Sequence, residues 1–239
     1  MTQTALLVLA RSVGLMFRAP GFTHPSVPMV VRAAFALALA GCVTPGVAPL
    51  VAFDLGRLIV AVASEVAIGA AIGIGASLLY DGAYYAGRMV DDYVGVRGSV
   101  PNAAVSSAQG FGRLWSSVFL AGFFLLDGYA LVVRAFAESF RHVPAGAFVG
   151  GANWMHFAIA LPIAIVRAAL LFAAPAIAVG MIVQLALGAI ARIVPRFSSF
   201  TLSFPLVFAA ALLVTVVSVP LFAPLAARPW LVVPFASVR

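Results

Sequence analysis

The sequence has no lysine, a single cysteine and very little charge of either sign. Charged residues make up 9% of its 239 residues, whereas soluble domains carry about a quarter. Because Cys42 is the only cysteine, an intramolecular disulfide and a cysteine-based metal cluster are excluded. Hydrophobic residues make up 64%, and the mean hydropathy is +1.15. Together, the shortage of charge and the apolar excess predict an integral membrane protein.

The net charge of +7 comes from arginine, since all 14 basic residues are arginines and the acidic residues number only 7. These arginines are scattered among apolar runs, which is typical of helix ends and loops in a membrane protein. A nucleic-acid interface would show a basic cluster instead, so no nucleic-acid partner is expected. Arginine occurs in almost every connector, so the positive-inside rule leaves the membrane orientation open.

Motifs of catalysis and cofactor binding are missing from the sequence. His24, His142 and His156 lie far apart and form no metal-binding pattern, and there is no phosphate-binding loop. Asp91 and Asp92 are adjacent on a predicted helix, so their carboxylates point to different faces. We therefore expect no enzyme, no cofactor and no metal site.

The hydrophobic segments predict an all-α integral membrane protein of helical hairpins, with about five or six such segments, several broken by proline or glycine. Residues 1–239 are expected to form a single domain. Ala5 to Ala19 is a short helix that contains Arg11 and is stopped by Pro20. Met29 to Val43 is a second short helix, and the turn between them makes the pair a hairpin.

Leu58 to Tyr80 is the best predicted membrane span. Glu65, Gly69, Gly73 and Ala76 recur at helical spacing and share one face. The two glycines form a small-xxx-small pattern that lets another helix backbone approach closely. Glu65 should therefore face protein and find a partner there, and a role as a proton or ion relay is the alternative.

An amphipathic helix over Asp81 to Val96 is predicted to lead into the central loop, which we define as Arg97 to Arg113. Between its two arginines this loop is uncharged and consists of small, polar and flexible residues. Unpaired backbone groups in such a segment would cost several kcal/mol each if they faced lipid. The loop must therefore pack against protein or line a cavity, and we interpret it as a pore loop or plug.

The C-terminal half continues the alternation of apolar segments and breaks. Leu114 to Val133 is apolar but interrupted by Asp127-Gly128, and Ser139 to Pro144 ends the helix that follows. Ala158 to Ile193 exceeds one span and contains two prolines, so it is predicted to form two helical pieces. Leu206 to Ala226 is the last apolar segment.

Two further charges lie within these apolar segments. Asp127 and Arg167 are expected, like Glu65, to be buried or to take part in helix packing. The rival interpretation joins the three as an intramembrane charge relay, which would make the protein a stand-alone small-molecule transporter or ion channel.

Four short motifs occur along the chain. They are Ala19-Pro20-Gly21-Phe22 leading through Ser26-Val27-Pro28 to Val31-Arg32-Ala33; Glu65 with Gly69 ahead of Gly87-Arg88-Met89-Val90-Asp91-Asp92; Pro101, Ser106, Gln109 and Gly112 followed by Asp127-Gly128 and by Glu138-Ser139-Phe140 with Pro144; and Pro195-Arg196 through Phe200 to Ser203-Phe204-Pro205. In this order they resemble the FliR/SctT family of type III export-gate subunits, which serve bacterial flagella and virulence injectisomes.

The resemblance implies a non-enzymatic, multi-pass protein of the bacterial inner membrane that helps to form a gated protein-conducting channel. The implied partners are FliP/SctR-like and FliQ/SctS-like sister subunits, an FlhB/SctU-like switch subunit, unfolded secreted substrates and the lipid membrane. It also implies that the central loop is a plug. The residues expected to close the resting pore are Gly98, Pro101, Asn102, Ser106, Ser107, Gln109, Gly110 and Phe111.

Details of the resemblance indicate a branch of the family. The chain has Val100 where the family often has an acidic residue, and Tyr129 where it often has glycine or histidine. The spacing of Gly87, Val90-Asp91-Asp92 and Gly95 looks more like virulence members, which favours the injectisome. The flagellar paralogue is the alternative within the family.

Overall fold

The computed structural model describes residues 2–22, 27–49, 53–95, 110–147, 152–193 and 199–226, with backbone alone for 152–158, 199–203 and 219–226. In these residues it contains helices and no strand, so the predicted all-α fold is confirmed. The α-helices are α1 (Gln3–Arg18), α2 (Met29–Val43), α3 (Leu55–Val94), α4 (Phe111–Leu125), α5 (Gly128–His142), α6 (Ala152–Ile193) and α7 (Ser199–Ala226).

The first two helices agree with the sequence prediction to within two residues. The hydroxyl of Thr2 caps the N-terminus of α1 by accepting a hydrogen bond from the Ala5 N–H. Pro20 disfavours helical geometry for the residue before it, so α1 ends at Arg18. The hydroxyl of Thr44 donates to the Ala40 carbonyl at 2.6 Å, and a single 3-10 turn, Thr44–Gly46, then ends the α2 segment.

The predicted division between a span and a separate amphipathic helix is wrong, because α3 is one continuous helix of 40 residues. The change from apolar to polar residues near Asp81 alters which faces are polar but leaves every backbone hydrogen bond available. At 1.5 Å per residue, α3 is about 60 Å long. This is roughly twice the hydrocarbon thickness of a bilayer, so α3 extends well beyond it.

The predicted interruption at Asp127-Gly128 is confirmed. Asp127 adopts a left-handed backbone conformation with φ of 55°, and α4 and α5 are bent by 70° at this break. A side chain on Gly128 would meet the Phe123 ring, so glycine is needed where the chain turns. α5 ends at His142, which lies in the segment Ser139 to Pro144 that was predicted to end this helix.

The predicted break in the long C-terminal segment is wrong, since α6 is continuous over 42 residues. Pro162 and Pro175 each remove one backbone hydrogen bond, but apolar helices tolerate this where neighbouring groups satisfy the freed carbonyls. α6 also begins at Ala152, ahead of the predicted start, and α7 begins at Ser199.

Among the described residues, three segments are long and apolar enough to cross a membrane: Met29–Gly46, Leu55–Val94 and Ile159–Ile193. The bent pair of α4 and α5 would make a fourth if it is one span, and Phe204–Ser218 is a shorter apolar helix. Several of the predicted hydrophobic segments are thus short, bent or merged.

The described residues form two compact units. Those within Met1–Leu78 and Phe123–Ile163 form the first, and those within Leu79–Gly122 and Ala164–Arg228 form the second. The core of the first unit includes Leu7, Val8, Leu15, Ile68, Ile72, Val132, Phe136 and Phe140. In the second unit, aromatic side chains pack in the pairs Phe111–Phe208 and Phe119–Phe172.

Candidate functional site

Helices α1 and α3 pack with their backbones in direct contact in the first unit. A Cβ atom on Gly69 would overlap the carbonyl oxygen of Arg11, and one on Gly73 would lie 2.7 Å from the Leu15 carbonyl oxygen. A Cβ atom on Gly14, from the opposite side, would overlap the Val66 carbonyl oxygen. The predicted packing role of Gly69 and Gly73 is therefore what the geometry requires.

This close approach brings together two buried charges of opposite sign. The Nε of Arg11 lies 2.5 Å from Oε2 of Glu65, and the Nη2 donates to Oε1 at 3.2 Å. Both side chains have no exposed surface. Such two-point pairing is the strongest geometry that an arginine and a carboxylate can adopt.

The rest of the Arg11 guanidinium is also bound by protein. Its Nη1 donates to the Ser139 hydroxyl at 2.8 Å, and its Nη2 donates to the Val143 carbonyl at 3.0 Å. Its central carbon lies 3.9 Å from the centre of the Phe140 ring, which is within range of a cation–π interaction. Arg11 therefore joins α1 to α3, to α5 and to the turn after α5.

Glu65 has a second donor in that turn. The Gly146 N–H donates to Oε1 of Glu65 at 2.8 Å. Gly146 has φ of +77°, and a Cβ there would lie 2.7 Å from the Phe53 ring and 3.3 Å from Leu7. Only glycine fits this position, so the turn is shaped to deliver a backbone donor to the buried carboxylate.

The arginine of this pair stays charged. Burial lowers the pKa of the Arg11 guanidinium, and the hydrogen bond and charge of Glu65 oppose that shift. An arginine side chain keeps its proton in proteins. The cluster, which we call the Arg11–Glu65 network, is enclosed by α1, α3, α5 and the turn at Gly146.

Asp127 and Arg167 do not share the environment of Glu65. Both side chains are exposed in this chain, so neither is a buried charge within it, and their role in helix packing stays a prediction. Asp127 instead lies at the bend, where its carbonyl accepts from the Ala130 N–H at 2.9 Å. The hydrogen bonds of Glu65 go to Arg11 and Gly146, which favours structural pairing over a relay.

A second buried carboxylate lies at the base of the central loop, in the second unit. Asp91 is 1% exposed. Its Oδ1 accepts from the Phe111 N–H at 2.8 Å, and its Oδ2 accepts from the Gly112 N–H at 3.1 Å. These two donors belong to the first turn of α4, which has no helical partners for them. Asp91 therefore caps α4 from another helix.

Asp91 also takes part in the ordinary backbone hydrogen bonding that ends α3 before the loop. Its carbonyl accepts from the Gly95 N–H at 3.0 Å, and Gly95 has φ of +85°, which is the usual glycine ending of a helix. A Cβ on Gly87 would overlap the backbone of Phe111 and Gly112, so α3 and the start of α4 touch directly. We call Gly87, Asp91, Gly95, Phe111 and Gly112 the loop base.

Most of the predicted plug residues lie outside the described residues, namely Gly98, Pro101, Asn102, Ser106, Ser107 and Gln109. Gly110 is an exposed turn residue with φ of +74°. Phe111 is 2% exposed and packs on Trp115 and Phe208. The sequence-defined loop is therefore too long at its C-terminal end, because Phe111 to Arg113 belong to α4.

Sequence reasoning missed the partner roles of Arg11 and Asp91. A signal for Arg11 was present, since an arginine in the middle of one short apolar helix and a glutamate in another apolar helix must each find a partner. The signal for Asp91 was weaker. Ala108-Gln109-Gly110 provides no Ser, Thr, Asp or Asn to cap α4, so a capping acceptor had to come from elsewhere in the chain.

Together, the helices and the loop base define an all-helical, multi-span membrane protein in which a buried carboxylate near the end of α3 caps the helix that follows the central loop. The sequence matches the family described as bacterial export proteins, family 1, over residues 2–231, and the chain belongs to this family. The predicted family resemblance is confirmed at this level.

Two relatives are similar to nearly the whole chain. The flagellar biosynthetic protein FliR of Aquifex aeolicus (strain VF5) is 25% identical over 228 residues, which cover 91% of this chain and 86% of the relative. The flagellar biosynthetic protein FliR of Escherichia coli (strain K12) is 24% identical over 220 residues, which cover 90% and 84%.

Membership of this family establishes the general function of the protein. The protein is a non-enzymatic export-gate component of the flagellar and type III export apparatus, and it is a multi-span protein of the bacterial inner membrane. The family also implies partners within that apparatus. Family membership favours this function over the rival interpretation as a stand-alone small-molecule transporter or ion channel.

Proposed function

We propose that this protein is the FliR-type subunit of a flagellar export gate, and that it helps to form the channel through which unfolded proteins leave the cytoplasm. The similarity to two flagellar relatives, together with the family match over residues 2–231, is the observation that carries this proposal. Within the loop base, the Asp91 carboxylate holds the start of α4 against α3, so the two helices that flank the central loop are joined to each other.

The flagellar branch is better supported than the injectisome branch that the sequence pattern favoured. Both relatives are named flagellar proteins. The pattern of Gly87, Asp91 and Gly95 also has a local explanation, because Gly87 touches the start of α4, Asp91 caps it and Gly95 ends α3. Because these residues have local structural roles, their spacing does not distinguish the injectisome branch of the family from the flagellar branch. The injectisome remains the second candidate.

The apolar surface of the chain supports partners of the FliP/SctR and FliQ/SctS types, with an FlhB/SctU-like switch subunit. On α2, Met29 is 80% exposed, Val30 79%, Phe35 52% and Leu37 58%. On α6, large apolar side chains including Leu170, Leu171, Ile182 and Leu185 are more than half exposed. Lipid or other membrane subunits must cover these surfaces, and a gate built from several subunits does so.

Co-purification tests the proposed identity. A tagged full-length chain, expressed in a host that carries the flagellar sister genes, should recover FliP-like and FliQ-like subunits in a stable detergent complex. The matched arm expresses the chain beside the injectisome sister subunits. We expect the flagellar arm to give the complex. Recovery of the injectisome subunits alone would reverse the branch, and recovery of neither set would overturn the gate proposal.

We also place the plug in the central loop, and deletion tests this role. Deleting Val100 to Gln109 should leave the complex assembled, since Gly110 and Phe111 stay in place for the loop base. The assembled variant should conduct small ions that the wild-type gate blocks, measured as current across a planar bilayer. If the variant assembles and conducts no more than the wild type, the plug role is wrong.

A longer deletion is the matched control for that experiment. Removing Val100 to Gly112 also removes the two N–H donors that Asp91 accepts from. We expect this variant to lose the complex, because it also removes the buried Phe111 side chain and Gly112, which lets α4 touch α3 at Gly87. The pair of deletions separates the role of the loop from the role of its base.

A further inference from the structure

An open cavity of about 330 Å³ lies in the first unit, beside the start of α3. Its lining is mostly apolar and includes Phe53, Val60, Ala61 and Gly146. The volume is enough for several water molecules, since each occupies about 30 Å³ in the liquid. Gly146 also belongs to the Arg11–Glu65 network, so the cavity and the network share a wall.

That shared wall consists of the Gly146 turn and the Phe53 ring. The Gly146 N–H donates to Oε1 of Glu65 at 2.8 Å, and the Glu65 side chain has no exposed surface. The Phe53 ring lies so close to Gly146 that a Cβ atom there would be 2.7 Å from it. The ring and the turn together therefore belong to the layer that excludes water from Glu65.

Gln3, in the first turn of α1, holds Phe53 by two hydrogen bonds. Its Nε2 donates to the Phe53 carbonyl at 3.1 Å, and its Oε1 accepts from the Phe53 N–H at 2.7 Å. The side-chain amide thus pairs with both main-chain groups of one residue, as the facing residue of an antiparallel strand does. Because both bonds go to the backbone, they hold residue 53 in place whatever its side chain.

The chain around Phe53 has little else to hold it. Residues 54–57 are all exposed, and Leu55 keeps 75% of its surface. Segments with few buried apolar contacts and exposed surroundings are those that open locally while the rest of a protein stays folded. The position of Phe53 therefore depends on its own half-buried ring and on the amide of Gln3.

We propose that Gln3 and Phe53 form a latch over the Arg11–Glu65 network. With the latch closed, the ring lies against Gly146 and water is kept from the ion pair. When Phe53 swings away, the cavity opens onto the Gly146 turn and water reaches Glu65. Water weakens the attraction between two charges several-fold, because that attraction falls as the effective dielectric constant rises. The latch thus sets how firmly Arg11 joins α1 to α3, whatever the role of the protein in export.

Hydrogen–deuterium exchange of the full-length protein in detergent, followed by mass spectrometry, tests the latch. Q3A removes both bonds to Phe53 and should accelerate exchange in the peptide that contains Gly146 about tenfold, as expected for the loss of ordinary hydrogen bonds. Q3E keeps the acceptor for the Phe53 N–H but loses the donor, so its exchange should be intermediate. F53A keeps both backbone bonds to Gln3 but removes the ring, and it should accelerate exchange at least as much as Q3A.

The matched control is T2A, which removes the cap of α1 beside Gln3 and leaves both bonds to Phe53 in place. Its exchange at the Gly146 turn should equal that of the wild type. The middle of α3, around the buried Ile72, should exchange at the wild-type rate in every variant, because the latch opens locally. Unchanged exchange at the turn in Q3A or F53A, or equal acceleration by T2A, would overturn the latch. Equal acceleration at the turn and in the middle of α3 would also overturn it, since the whole unit would then be unfolding.

Discussion

Replacing Arg11 with methionine is expected to lower the free energy of unfolding by about 3–5 kcal/mol, the usual loss when one partner of a buried ion pair is removed. The carboxylate of Glu65, with no exposed surface, would keep one donor among the described residues, the Gly146 N–H. For a chain of this length the thermal unfolding midpoint should fall by on the order of 10 °C. Thermal unfolding of the detergent-solubilised protein measures this change.

Two variants make the Arg11 experiment specific. R11M/E65M removes both charges and should be less damaging than R11M alone, because no unpaired charge stays buried. It should still be less stable than wild type, since the Gly146 N–H and the Val143 carbonyl lose their partners. R57M breaks an ion pair that is 82% and 71% exposed and should change little. If R11M and R57M unfold at the same temperature, the buried network does not stabilise the fold.

Replacing Gly69 with alanine has the second-largest expected effect. The added Cβ would overlap the Arg11 carbonyl oxygen and press on the Leu15 backbone. In a helix interior, glycine to alanine by itself stabilises by roughly 0.5–1 kcal/mol. Overpacking costs about 1–3 kcal/mol, and here it dominates because the obstructing atoms are backbone and cannot rotate away. We expect a lower unfolding midpoint and less folded protein in the membrane fraction.

The chain offers a matched control for Gly69. A Cβ on Gly188 in α6 would have nothing within 4 Å, so G188A should be neutral or slightly stabilising. The displacement that G69A forces on α1 occurs at Arg11 itself, so it should also loosen the ion pair. The G69A/R11M double variant should therefore lose less than the sum of its parts. Equal midpoints for G69A and G188A would contradict the close packing of α1 on α3.

Much of the helical fold could be predicted from the sequence, because long apolar runs between prolines leave few alternatives in a membrane. α2 was predicted with its observed bounds, and the break at Asp127 was also predicted. The errors in α3 and α6 arose because a change in polarity and two prolines were interpreted as helix breaks. Asp81 changes polarity without interrupting α3, and Pro162 and Pro175 remove single hydrogen bonds from α6 without ending it.

The candidate site was predictable only in part. The helical spacing of Glu65, Gly69 and Gly73 shows a packing face, because residues four apart meet on one side of a helix. The partner of that face could not be deduced, since Arg11 lies 54 positions away. The cap of α4 was harder to predict, because its acceptor, Asp91, belongs to another helix and had the local appearance of a polar helix end.

By itself, the sequence determined the class of this protein: an all-helical membrane protein with a buried carboxylate, a glycine face and an uncharged central loop. Those features follow from composition and from periodicity, which depend on near neighbours in the chain. The tertiary structure alone decided which charges pair and which residue caps the helix after the central loop. Arg11 with Glu65, and Asp91 with Phe111, meet only because the helices pack closely enough to exclude water, and a buried charge without a partner is not tolerated there.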